Sequence, residues 1–208
     1  MSRRDELHDH VAKLTAALGN LNHAREIGLP ACRRAIRAAG SSIRAVHRLD
    51  FAESAALLAE AETALREAQD ALGPYPAVAY AGFLGDAEKE YAEARLTAAL
   101  VQGEPLPAAD EMRIDPTSWM KGLAEAASEL RRHLLDRLRS GELHRGEELL
   151  EVMDDVYDAL ITVDFPDAVT GGLRRSLDAL RAVLERTRGD VTTTVLQERL
   201  RTSIDRSR

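Results

Sequence analysis

The sequence predicts an all-α protein, a bundle of amphipathic helices. Apolar residues recur at three- and four-residue spacing nearly end to end, and no segment alternates with period two for long enough to make a strand. Alanine and leucine dominate, with Glu and Arg around them, a composition that favours helices. Aromatic residues are only 4 % of a chain that is 45 % apolar, so the core has to be aliphatic. At 208 residues the chain fits one domain, taken here as 1–208.

The helices follow in order. Leu7, Val11, Leu14 and Leu18 mark a first amphipathic helix that stops near Gly19-Asn20. A second begins between Asn22 and Pro30, because Pro is tolerated in a first turn. Its seam is Leu29, Cys32, Ile36, Ala39, Ile43 and Val46. A third covers Phe51 to Leu72, and "GPYP" at 73–76 ends it. A fourth runs from about Ala77 to Val101, with Tyr80, Leu84, Ala87, Tyr91, Ala94 and Ala98 on one seam. "QGEPLPAADEMRIDPTS" is a surface loop. A fifth helix is capped by Pro116-Thr117-Ser118 and reaches Ser140-Gly141, and a sixth covers Glu142 to Val163. After "DFPDAVTGG", a seventh runs from about Leu173 to Arg188 and an eighth from Val191 to the C-terminus.

Charge and cysteine content narrow the function classes. The net charge of -7 argues against a uniformly basic nucleic-acid binder. The charge is segregated, however: residues 1–50 carry nine Lys/Arg against five Asp/Glu, and the remainder carries 19 against 30. The lone Cys32 excludes an internal disulfide framework. No apolar run is long enough for a membrane span, and "MSRRDELHDH" has no signal-type hydrophobic segment. The expected location is the cytoplasm, without membrane contact.

Several catalytic signatures are missing. "GFLG" lacks the Gly-Lys-Ser/Thr of a phosphate loop. No paired Cys or His-x3-His set offers a zinc site. Glu129 and His133 stand at i, i+4, not the Glu-x-x-His of a di-iron bundle. Carboxylates remain. Asp86, Glu90 and Glu93 share one face of the fourth helix, and Glu125 and Glu129 share one face of the fifth. Facing carboxylates can hold a hard cation such as Mg²⁺, which favours oxygen ligands. Equally, acidic residues at this spacing decorate solvated faces, and Glu151, Asp154, Asp155 and Asp158 form an equally dense set on the sixth helix. A basic stripe has the same two readings. Arg33, Arg37, Arg44 and Arg48 lie within ~60° around one helix, with His47 beside them. They form either a rail for phosphates or a row of salt bridges with stems covering apolar surface.

"CRRAIRAAGSSIRAVHR", "EYAEA", "KGLAEAASELRR" and "GGLRRSLDALRAVLERT" are four segments that together resemble the translin family. "CRRAIRAAGSSIRAVHR" (32–48) resembles the Arg-rich first long helix of that family. "EYAEA" (90–94) resembles the "EYVEA" of translin-associated factor X, and "KGLAEAASELRR" (121–132) resembles its "G-V-A-D-x-x-G-E-L-M-R" helix. "GGLRRSLDALRAVLERT" (171–187) resembles its closing helix. The similarity spans roughly 16–205 in the same order. It implies a bundle of about seven helices assembling into a hollow, typically octameric homo-oligomer that binds single-stranded RNA or DNA. For the translin-associated factor X branch it implies a Mg²⁺-dependent endoribonuclease; translin proper mainly binds. Carried over by motif, the metal-holding and catalytic carboxylates are Glu90, Glu93, Glu125 and Glu129. The nucleic-acid contacts are Arg33, Arg37, Arg44 and Arg48, with Arg132 orienting Glu129 or touching phosphate. Glu88 is expected to be solvated. Glu125 stands where the family has Asp, and Ser128 where the nuclease branch often has Gly.

Overall fold

The computed structural model describes residues 2–206, and these form helices joined by short connections. They are α1 (Arg3–His47), α2 (Phe51–Leu72), α3 (Pro76–Ala79), α4 (Phe83–Gln102), α5 (Pro116–Arg139), α6 (Leu143–Ile161), α7 (Asp167–Thr170) and α8 (Leu173–Arg206). No strand occurs among the described residues. The expected all-α bundle is the observed one.

Boundaries follow local chemistry where caps exist. Ser2 and Asp5 close a reciprocal capping box at the start of α1. Asp50 accepts from the Glu53 amide and opens α2 at its expected position. Asp115, not Pro116-Thr117-Ser118, caps α5: its carboxylate accepts from the Thr117 amide at 2.8 Å, and Pro116 fills the first turn. Gly103 ends α4 in the left-handed region, with φ 70°.

Three expected boundaries are corrected. The first two expected helices are one, because α1 runs unbroken through Gly19-Asn20 and carries Pro30 inside it. On both sides of Pro30, Gly28, Ala31 and Cys32 are buried, and that packing outweighs the local cost of proline. The seventh and eighth helices are also one. α8 passes through Gly189 because Arg131 of α5 binds Thr187 and Asp190 on either side of it. The expected run to the C-terminus is seen through Arg206; positions 207 and 208 lie outside the described residues. The expected fourth helix, by contrast, is split. Tyr80 lies in the turn between α3 and α4 and is 88 % exposed, so it belongs to no seam.

The core is aliphatic, as the composition requires, with Leu65, Leu72, Leu96, Leu130, Leu134, Leu149, Met153 and Leu180 fully buried. α1 packs antiparallel on α2, and α5 on α6, whereas α4 and α5 run parallel: Ser118 bonds the Gly85 carbonyl near both starts, and Lys89 meets Glu125 further along. α1 also packs on α4, and α8 closes on α5 and α6. Two apolar seams face solvent. Leu7, Val11, Leu14 and Leu18 on α1 and Leu196, Leu200 and Ile204 on α8 are exposed. No described helix is long and apolar enough to cross a membrane.

Candidate metal centre

The approach of α4 to α5 builds the centre. A Cβ at Gly122 on α5 would lie 2.5 Å from Ala92 Cβ and 2.9 Å from both the Glu93 nitrogen and the Lys89 oxygen. Only glycine lets the two backbones come this close. One turn further along α5, Glu125 then faces Glu90 and Glu93 of α4. One carboxylate oxygen from each of Glu90, Glu93 and Glu125 lies within 4.8 Å of the others. Among the described residues, no other group of three His, Cys, Asp or Glu side chains converges in this way.

The environment is hostile to bare negative charge. Glu93 is 9 % exposed and has no ion pair or side-chain hydrogen bond among the described residues. Burial, reinforced by the charges of Glu125 and Glu90, pushes its carboxyl up to about 8. An orphaned buried carboxylate beside two others fits a divalent cation, whose charge offsets the cost of burial. The donors are all carboxylate oxygens, the chemistry Mg²⁺ prefers. Lys89 already supplies one positive charge: its Nζ is 3.0 Å from Glu90 and 2.5 Å from Glu125. Burial disfavours that ammonium, but the bonds and charges of Glu125 and Glu90 outweigh it and hold Lys89 above its ordinary range.

A stability prediction follows from Glu93. Its folded carboxyl is raised above the ordinary value of 4.5, so the folded chain keeps a proton that the unfolded chain gives up. The associated stability is full below about pH 4.5 and is lost as pH rises through about 8. Metal-free protein is therefore expected to melt at a lower temperature at pH 9 than at pH 6, with a slope of at most ~1.4 kcal/mol per pH unit. Melts in EDTA check this, and a flat or rising profile would refute it.

The remaining site residues fall in two places. Glu129 lies outside the converging trio and bonds His47 of α1, with 2.7 Å between its Oε2 and the ring Nε2. Of the two expected roles of Arg132, orienting Glu129 falls to His47 instead, and Arg132 itself is exposed. His47 is 4 % exposed, and its Nδ1 is buried without a partner. The only sequence sign of this was its place beside the arginine stripe. Glu88 corrects another expectation: it is buried, not solvated, accepting from Gln69 Nε2 at 2.8 Å and from the Asp115 amide at 3.2 Å. It ties the end of the α4–α5 loop to α2. Asp86 is exposed at the start of α4 and takes no part in the trio. On α6, Asp154 pairs with Arg188 at 2.6 Å, and Glu151, Asp155 and Asp158 are exposed.

All four stripe arginines are exposed along α1. Arg48 bonds Glu53 and the Arg44 carbonyl, and Arg44 bonds Ser41 Oγ. Arg33 and Arg37 have no ion pair among the described residues. Half of the stripe is thus engaged at home, and half is free to meet an anion.

No family model matches the chain. It is 28 % identical over 203 residues to an uncharacterised protein of Methanocaldococcus jannaschii, covering 95 % of this chain and 88 % of that one. Among solved structures it resembles AfC3PO in complex with duplex RNA, with TM-score 0.82 and 29 % identity over 90 % of this chain and 97 % of the other. AfC3PO crystallised alone gives TM-score 0.75 and 28 % identity, over 94 % of this chain and 98 % of the other. Apo-NeC3PO has TM-score 0.75 over 93 % and 98 % of the two chains at 17 % identity, a likeness of fold alone.

Proposed function

We propose that this chain, which has the helical fold of the translin family, binds RNA and cleaves it in a Mg²⁺-dependent reaction. The observation that carries the reading is the convergence of Glu90, Glu93 and Glu125 around an orphaned buried carboxylate. When bound there, Mg²⁺ supplies positive charge that polarises a phosphodiester and acidifies water. Glu93 provides a buried donor, Glu90 and Glu125 flank it from two helices, and His47 fixes the orientation of Glu129 at the edge. Arg33 and Arg37 offer free guanidinium groups for phosphates, with Arg44, Arg48 and Arg132 as further contacts.

The working form in this reading is a cytoplasmic homo-oligomer, an octamer, of one translin-like domain per chain. The exposed seams of α1 and α8 support self-association, because each presents apolar residues at helical spacing to solvent. Single-stranded RNA is the proposed substrate. The duplex RNA bound by AfC3PO makes duplex RNA the first competitor to try.

The test is cleavage of labelled single-stranded RNA with Mg²⁺ and with EDTA, with duplex RNA and single-stranded DNA as competitors. Cutting that EDTA stops supports the nuclease reading. Tight binding without cutting replaces it with a non-catalytic RNA- or DNA-binding oligomer of the translin type. The rail has its own prediction: the double variant Arg33→Glu, Arg37→Glu is expected to lower RNA affinity at least ~10-fold near 100 mM salt. The slope of log K against log salt should shrink by about 1.4, for two phosphates on a single strand. Unchanged affinity and slope would make the stripe structural.

A further inference from the structure

We propose that Lys89 is a tethered counter-ion that competes with the divalent cation, so that loading the centre means displacing its ammonium from Glu90 and Glu125. The inference rests on the metal reading above and adds to it a residue that sets affinity. Its basis is geometric. Nζ spans two of the three carboxylates, at 3.0 Å from Glu90 and 2.5 Å from Glu125, and the side chain is only 18 % exposed. It thus uses oxygens from both helices, the same pair of helices a cation has to bridge.

The residue type supports this. The chain has three Lys among 28 basic residues, so Lys on the acidic face of α4 stands out against a strong Arg preference. An ammonium is a compact point charge with three donors, whereas a guanidinium is a flat fork that favours one bidentate partner. The ammonium sits between two carboxylates from different helices as a compact charge, in the way a small hard cation does. Lys89 also sits one residue before Glu90, so its backbone position is fixed by the same turn of α4 that fixes the ligands. Without a cation the ammonium offsets part of the trio's repulsion. With one, two positive centres contend for the same oxygens.

Competition of this kind weakens metal affinity. The experiment measures Mn²⁺ binding by calorimetry to full-length wild type, Lys89→Met, Lys89→Gln, Lys89→Arg and Glu93→Gln. Lys89→Met and Lys89→Gln are expected to bind Mn²⁺ about tenfold more tightly than wild type, or ~1.4 kcal/mol. Lys89→Arg, which keeps the charge, is expected to stay much closer to wild type. The glutamine variant keeps a hydrogen-bond donor, so it answers the question even where the methionine variant folds poorly. Affinity equal to or weaker than wild type in both uncharged variants overturns the proposal and makes Lys89 a support for the carboxylates. Failure of the metal reading itself looks different: Glu93→Gln then binds Mn²⁺ as wild type does, or no variant binds it at all.

Discussion

Glu93→Gln is expected to abolish Mg²⁺-dependent RNA cleavage and, at the same time, to raise the melting temperature of the metal-free protein. Both effects have one cause. Glu93 is the most buried of the trio, and it has no partner of its own. In the absence of a cation it costs stability, since burial and two neighbouring carboxylates oppose its charge. An amide of the same shape removes that charge and donates to Glu90 or Glu125. The loss of a metal ligand should lower cleavage by about 10³-fold, equivalent to ~4 kcal/mol of transition-state stabilisation. The gain in EDTA at pH 9 should reach a few degrees, at 2–4 °C per kcal/mol for roughly this chain length. Gel-based cleavage rates and thermal melts read the two effects separately. Cleavage within tenfold of wild type would remove Glu93 from the chemistry, and a lower melting temperature would mean that its burial is compensated in the native fold.

Gly122→Ala is expected to produce the largest structural effect of any single methyl group in the centre. Within an exposed helix, Gly→Ala stabilises by about 1 kcal/mol. Here the sign reverses. The new Cβ would meet Ala92 Cβ at 2.5 Å and main-chain atoms of Lys89 and Glu93 at 2.9 Å. Backbone cannot rotate out of the way as a flexible side chain can, so α4 and α5 have to separate. Overpacking of this kind costs ~1–3 kcal/mol. The separation moves Glu125 away from Glu90 and Glu93, so Mn²⁺ affinity should fall at least tenfold without any ligand being altered. A variant that melts higher than wild type, or binds Mn²⁺ equally well, would show that this helix contact does not set the centre.

Local chemistry was readable wherever a capping residue and a breaker bracketed a helix. α2 starts at Phe51 and ends at Leu72 as expected, because Asp50 and "GPYP" act on immediate neighbours. Punctuation by glycine or proline alone misled. Gly19, Pro30 and Gly189 all lie inside helices, since one unfavourable residue costs little against favourable turns and packing on either side. Helical spacing placed Glu90 with Glu93 on one face, but the meeting of α4 with α5 depends on Gly122, whose role appears only when two backbones touch. Partner choice was the least visible level. His47 and Glu129 are 82 positions apart, and nothing in either segment names the other. Glu88 shows the same limit: in a run of acids it has no distinguishing neighbour, yet it is the one whose carboxylate secures a loop.

The same sequence separations bear on the order in which the centre assembles during folding. Lys89 and Glu125 are 36 positions apart and lie on consecutive long helices, whereas the His47–Glu129 pair closes 82 positions. Loop-closure entropy makes the longer connection more costly by about 0.7 kcal/mol, before any packing between the helices is counted. The parallel α4–α5 pair can therefore collapse with Glu90, Glu93 and Glu125 already together, and α1 docks onto it afterwards, bringing His47 and the arginine stripe. The carboxylate trio forms on a local unit, and the arginine stripe arrives with the long-range contact. A chain caught between these stages would hold the converged carboxylates while lacking the docked arginine stripe.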